Sequence, residues 1–128
     1  MGYSVQSIGK YTTYTPTYSG CSVDPTVAEA RYTLNGKMCT VTIRNSAVGT
    51  SNATSKTITL PFAAADTGTQ VGYIVCTDNN TNRHGIIRTQ VNSNVANLFL
   101  TNSTGVALSN WTNSGNWNCQ FTFTYEIA

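Results

Sequence analysis

Trp117-Asn-Cys-Gln-Phe-Thr-Phe-Thr-Tyr-Glu-Ile127 alternates apolar and polar residues without a break. Trp117, Cys119, Phe121, Phe123, Tyr125 and Ile127 share one phase, and Asn118, Gln120, Thr122, Thr124 and Glu126 share the other. Successive side chains of a strand point to opposite faces, so a period of two predicts a strand with one buried face. A helix would scatter the same rings around its circumference. Each buried aromatic ring removes roughly 150–250 Å² from water, and no other stretch of this chain concentrates so many on one face. The core is therefore expected to pack against this strand, and so apolar a strand is expected to be paired inside a sheet.

Working outward, the 128 residues suffice for one domain with its own core. Only 9% of them are charged, against about 25% in an ordinary soluble domain. Thr, Asn and Ser fill the gap. Such a chain has either a neutral, hydroxyl-rich surface or a surface largely covered in an oligomer, where charge is costly to bury. The net charge is +2, and Lys10, Arg31, Lys37, Arg44, Lys56, Arg83 and Arg88 are scattered, so no basic stripe points to nucleic acid. No run approaches the roughly 18 apolar residues of a membrane span, and membrane insertion is not expected. Met1-Gly2-Tyr3-Ser4-Val5-Gln6 begins like a myristoylation signal but has Gln at the sixth position, where Ser or Thr is needed. It also lacks the charged-then-apolar pattern of a signal peptide, and such a start is compatible with a segment of a longer protein.

Cys39, Cys76 and Cys119 each keep step with neighbouring core-facing residues, where a small hydrophobe would sit. Together with Cys21 they allow two disulfides. Free buried thiols, and folding in a reducing compartment, are the expected state. Their dispersal gives no zinc spacing.

The remaining strands are short. Residues 1–20, with Pro16, predict an N-terminal edge strand or a link to a preceding segment, because proline cannot donate to a ladder. Residues 21–128 form the single domain. Residues 26–30 fit either a strand or a helical turn. Arg31–Arg44 predicts a hairpin turning at Asn35-Gly36 through a type I′ turn. Residues 45–55 read as a loop, and Lys56–Phe62 as a strand ended near Pro61. Ala63–Thr69 reads as a loop and Gln70–Thr77 as a strand apolar on both faces. Asp78–Gly85 reads as a polar loop. Gly85–Val91 and Asn97–Thr101 are strands, Asn102–Gly105 a turn, Val106–Leu108 a short strand and Trp111–Asn116 a loop. About eight short antiparallel strands with no helical pattern predict an all-β fold, a β-sandwich or jelly roll.

Several segments resemble the C-terminal knob domains of bacteriophage tail fibres and spikes. They are Tyr14-Thr-Pro-Thr, Arg31-Tyr-Thr-Leu-Asn-Gly-Lys-Met-Cys-Thr-Val, Thr59-Leu-Pro-Phe-Ala, Trp111-Thr-Asn-Ser-Gly and Phe121-Thr-Phe-Thr-Tyr-Glu-Ile. The resemblance spans nearly the whole chain as short, degenerate pieces. It implies a β-sandwich knob assembled as a homotrimer at the virion's fibre or spike tip, folded in bacterial cytoplasm. Such a knob binds a host-surface glycan or protein receptor, or seeds trimerisation of the shaft. The resemblance carries no catalytic motif, so no site residue is inherited from it.

The residues themselves give little chemistry. Asp78 and His84 share a segment with serines elsewhere, but no nucleophile elbow or orienting context makes a triad of them. Paired carboxylates for glycoside hydrolysis have little to draw on, because the chain has only five acidic residues. No catalytic residue, metal site or cofactor is expected. Glycan recognition needs an aromatic face and planar amides. Asp78, Asn79, Asn80, Asn82, Arg83 and His84 in one loop, with Trp111 and Asn113 in another, supply these types. Each has a plainer reading: Trp111 as the packing anchor of its loop, the polar segment as a solvated turn. Val71, Tyr73 and Val75 form a second apolar row facing away from Ile74 and Cys76, which suits a subunit interface or a strand buried on both sides. Asn52, Asn79, Asn102 and Asn110 match the glycosylation pattern, which matters only in a eukaryotic secretory host. Besides the trimeric knob, two functions fit: a monomeric carbohydrate-binding module, and a cap whose only role is trimerisation.

Overall fold

The computed structural model describes residues 10–102 and 107–128. The expectations for residues 1–9, for the turn at 102–105 and for Val106 fall wholly or partly outside that range. Twelve strands and no helix are present among the described residues. They are β1 (Thr12–Thr13), β2 (Tyr18–Ser19), β3 (Cys21–Val23), β4 (Thr26–Asn35), β5 (Met38–Ala47), β6 (Gly49–Ser51), β7 (Lys56–Thr59), β8 (Val71–Asp78), β9 (Thr81–Thr89), β10 (Val95–Thr101), β11 (Leu108–Ser109) and β12 (Asn116–Glu126). The sheet runs β1-β4-β5-β12-β8-β9-β10-β7-β2, every pairing between strands is antiparallel, and the sheet curls into a half-barrel. The excess over eight strands consists of pieces two or three residues long at edges and corners.

β12 sits in the middle of this path. Its first half pairs with β8 (Trp117↔Asp78 to Gln120↔Val75), and its second half with β5 (Phe121↔Ile43 to Glu126↔Met38). The strand thus passes from one arm of the curl to the other, and its inward row fills the concavity. Trp117, Cys119, Phe121, Phe123 and Tyr125 are all buried, as the alternation predicts. They pack with Val41 and Ile43 of β5, Ile74 and Cys76 of β8, Ile87 of β9, Leu98 and Leu100 of β10, and Ile58 of β7. Two chains of edge-to-face rings run through this core: Tyr18–Trp117–Trp111 and Tyr14–Tyr32–Phe62. Such contacts add to the burial term because the positive ring edge meets a negative ring face.

The N-terminal segment is an edge strand at both ends of the sheet. β1 pairs with β4, buried Pro16 turns the chain, and β2 pairs with β7. The Tyr14 hydroxyl donates to the Thr59 carbonyl across the gap (3.2 Å). A single segment thereby laces the two open edges together, which removes unpaired edge groups. At one end of the curl, the chain after β7 closes onto the end of β12: Ala65 N donates to Glu126 O (3.0 Å), and the Tyr125 hydroxyl donates to Phe62 O (2.9 Å).

One open local expectation is decided, and three need correction. Residues 26–30 are strand, the first half of β4. The β4–β5 hairpin turns at Gly36-Lys37, one residue later than expected, because Asn35 pairs with Met38. Gly36 has φ 61, and Lys37 is not among the positive-φ residues, which is the type II′ pattern. Residues 45–55 are not all loop, since β5 runs on to Ala47 and β6 follows. Asp78–Gly85 is not a loop. β8 runs into β9 through the two-residue turn Asn79-Asn80, with Asp78 paired to Thr81. Both turn residues are left-handed (φ 48 and 67), giving a type I′ turn, a conformation that Asn tolerates better than most residues.

Candidate functional site

The Asn79-Asn80 turn lies at the end of the half-barrel opposite the Tyr125–Phe62 closure. Three segments are laced there. Asn79 N donates to Asn116 O (2.9 Å), and Asn116 Nδ2 donates to Asn80 Oδ1 (2.5 Å). Ser51 N donates to Gly115 O (2.9 Å), and Trp111 N donates to Thr54 O (3.1 Å). The β8–β9 turn, the 51–55 segment and the 110–116 segment therefore form one hydrogen-bonded rim. Asn52, Asn79, Asn80, Asn113 and Asn116 are exposed on it.

The expected site residues divide among four places. Asn79, Asn80 and Asn113 share the rim. Asn82 and His84 lie on the outer face of the sheet, paired with Thr77 and Val75. Arg83 turns inward and donates to Thr101 O (2.7 Å). Asp78 and Trp111 support the rim from below. The Asp78 carboxylate accepts from both Thr112 N (3.0 Å) and Thr112 Oγ1 (2.8 Å) and is buried. Trp111 is 2% exposed, and its indole N–H donates to Leu98 O (2.9 Å). Trp111 is thus no exposed platform: its only polar atom finds a partner inside the core, so burial leaves nothing unsatisfied. Asp78 and His84 project from opposite faces of their hairpin and cannot share a proton.

Val71, Tyr73 and Val75 are 55%, 83% and 56% exposed on β8, a strand near the middle of the sheet. Residues opposite one another on neighbouring strands share a face. Tyr73 is opposite Ile86, and Ile86 is opposite Phe99, so an apolar band crosses β8, β9 and β10. The Arg88 guanidinium covers the Phe99 ring at 4.6 Å. Ile86 and Phe99 escaped the sequence reading, although both are in outward phase on their strands.

Lys56 also escaped it. Its side chain is 2% exposed. The ammonium donates to Gly20 O (2.5 Å), Ser51 Oγ (2.8 Å) and Ala53 O (3.2 Å) and lies 5.2 Å from the centre of the Trp117 ring. Burial pushes its pKa below the ordinary lysine value. Three acceptors match its three protons, so the charge is held by dipoles and a ring face. The Trp117 indole N–H, by contrast, is buried without a partner.

The four cysteines are free, and Cys39, Cys76 and Cys119 are buried. Burial raises the pKa of Cys76 to about 12 and also raises Cys39 and Cys119, which makes these thiols poor nucleophiles. Among the described residues no group of three His, Cys, Asp or Glu side chains is placed to hold a metal ion, and no helix is long and apolar enough to cross a membrane.

No family model, curated protein or solved structure matches the chain.

Proposed function

We propose that this chain is a non-enzymatic attachment domain of the phage fibre- or spike-knob kind. Copies of it associate as a homotrimer through the outer face of β8–β10, and its half-barrel is one arm of a jelly-roll knob. The asparagine rim points away from the shaft and meets a host-surface glycan or protein receptor. The observation that carries this reading is the exposed Val71–Tyr73–Val75 row on a strand near the middle of the sheet. Apolar surface continuous over three strands marks an interaction site more often than a solvated face. Three buried, unoxidised thiols support folding in a reducing compartment, such as the bacterial cytoplasm, before incorporation into a virion.

Light scattering on a sizing column tests the assembly. The expected mass is three times the 13.8 kDa chain, falling to one when Tyr73→Asp and Val75→Asp are combined. A wild-type monomer at tens of micromolar overturns it. The second reading, a monomeric carbohydrate-binding module, would then lead, because Tyr73 offers an exposed ring on a rigid strand. Asn80→Ala with Asn113→Ala tests the rim: attachment to host cells should be lost while the mass stays the same.

A further inference from the structure

A second surface has the chemistry of a binding site and lies away from both the rim and the β8–β10 face. Tyr11, Arg31, Tyr32, Thr33, Thr40 and Thr42 line a groove of about 250 Å³ on the other arm of the sheet. β4 and β5 form its floor, where Arg31 is paired with Thr42 and Thr33 with Thr40. Tyr11, just before β1, forms its wall and is 55% exposed.

Two features suit it to a ligand. The first is charge held in place. The Arg31 guanidinium stacks 4.5 Å from the Tyr11 ring centre and ion-pairs with Glu29 Oε1 (2.5 Å). The other Glu29 oxygen holds Arg44 (3.0 Å). Two cations share one carboxylate, so one positive charge remains, with the Arg31 guanidinium held by Tyr11 and Glu29 and the more exposed Arg44 held by Glu29 alone. A guanidinium fixed in this way offers its free N–H edges to an oxyanion at little further ordering cost.

The second feature is a grid of hydroxyls. Thr40 Oγ1 bonds Thr124 Oγ1 (2.8 Å), and Thr42 Oγ1 bonds Thr122 Oγ1 (3.1 Å). Each pair uses one proton between its two oxygens, which leaves one O–H and several lone pairs for a ligand. Adjacent strands lie about 4.8 Å apart and alternate residues of one strand about 6.8 Å apart, a spacing on the scale of a sugar ring's hydroxyls. Donors and acceptors in fixed array, an exposed ring edge beside them and a surplus cation together select a ligand with many hydroxyls and a negative charge.

We propose that this groove binds an acidic saccharide, a uronic-acid-type unit. Its carboxylate would meet Arg31 and Arg44, its hydroxyls the threonines, and its apolar C–H face Tyr11. The inference rests on the recognition half of the proposed function, that the domain binds a surface glycan, and adds the glycan's charge and a place for it. Burial of β8–β10 in an assembly would leave this arm free.

The test is an NMR titration of ¹⁵N-labelled full chain with oligogalacturonate and, separately, with a malto-oligosaccharide of equal length. Amide shifts are expected at Arg31, Thr33, Thr40 and Thr42, with the acidic oligomer binding about tenfold or more tightly than the neutral one. Tyr11→Ala and Arg44→Gln, both at exposed positions, should each weaken binding by about threefold to tenfold with an unchanged far-UV spectrum. Equal affinity for the neutral oligomer overturns the proposal. So do the same shifts produced by sodium acetate at equal concentration, which would mean an adventitious anion contact, and so does the absence of any shift in the groove. Oligogalacturonate shifts confined to Asn79, Asn80 and Asn113 would overturn the groove while leaving rim recognition intact. The light-scattering mass reports on assembly independently of all these outcomes.

Discussion

Both carboxylate oxygens of Asp78 hold one residue, Thr112, taking its backbone N–H at 3.0 Å and its hydroxyl at 2.8 Å. The last residue of β8 thereby fixes the loop that leads into β12, and Ser51 Oγ holds the same residue by its carbonyl (2.6 Å). Replacing Asp78 by Ala takes the acceptor from the N–H and hydroxyl of half-buried Thr112, a change that costs about 1–2 kcal/mol. Asp78→Asn keeps one acceptor and should cost about half as much. Urea unfolding of both variants measures this. Equal stability of Asp78→Ala and wild type would show that the clasp is dispensable.

Lys56 ties Gly20, Ser51 and Ala53 to the underside of Trp117. Lys56→Met keeps the length and apolar stem but removes the three donors. Gly20 O keeps the Asn52 N–H (3.1 Å), and Ser51 Oγ keeps its bonds to the Thr112 and Ala53 carbonyls (2.6 and 3.3 Å), so the expected loss is that of three charge-assisted bonds, about 1–2 kcal/mol, less whatever is regained by no longer burying a charge. The midpoint of thermal unfolding is the readout. A more stable Lys56→Met variant would mean that the cost of burying the ammonium outweighs its bonds.

These two residues mark where local sequence stops being informative. The final strand was legible because a period of two is a property of adjacent residues. The same holds for the outward row Val71, Tyr73, Val75 and for the buried thiols. For Trp111 the packing reading was open beside the platform one, and what decides between them, the Leu98 carbonyl that takes its indole N–H, belongs to another strand. Lys56 reads as surface because lysine usually is, and its three acceptors come from separate segments. The stretch 78–84 was polar enough to pass for a loop. Left-handed Asn79 and Asn80 compress its turn to two residues, and polarity cannot distinguish a solvated loop from a tight hairpin with an outward polar row. The groove at Tyr11 joins β1, β4 and β5, an adjacency that only the topology provides.

Stability should fall at alkaline pH. Burial raises the pKa of Cys21, Cys39, Cys76, Cys119, Tyr14, Tyr18 and Tyr125 in the folded chain, with Cys76 reaching about 12. Unfolded, the thiols ionise near 9.0 and the phenols near 10.0. Below both values the two states hold the same protons and stability is flat. Above about pH 9 the unfolded chain releases protons that the native chain keeps, so stability declines by up to about 1.4 kcal/mol per pH unit for each such group. Lys56, shifted down, opposes this between its lowered value and 10.5, but it is one group against seven. The urea midpoint should be level from pH 6 to 8 and drop steeply beyond 9. Cys76→Val should flatten the drop by about one proton's worth of slope. A level midpoint through pH 10.5 would mean that the thiols and phenols ionise freely in the native chain.

Gly72 is in the inward phase of β8 with Ile74 and Cys76, and the Phe123 ring fills the space where its side chain would be. A Cβ on Gly72 would overlap Phe123 Cδ1, with Ile87 Cγ2 close behind. The ring cannot retreat, because it stacks on Tyr125 with centroids 5.6 Å apart and planes 12° from parallel. Tyr125 is itself tied by its hydroxyl to Phe62. Gly72→Ala should therefore cost about 1–3 kcal/mol by overpacking, even though Ala is the better strand residue on entropy alone. Phe123→Leu alone should cost about 1–2 kcal/mol through lost burial. Combined, the two changes should cost less than their sum by about 1 kcal/mol or more, since the smaller side chain makes room for the new methyl. A double-mutant cycle by urea unfolding gives that coupling directly. Strict additivity would place the Gly72 penalty in the backbone and not against the ring.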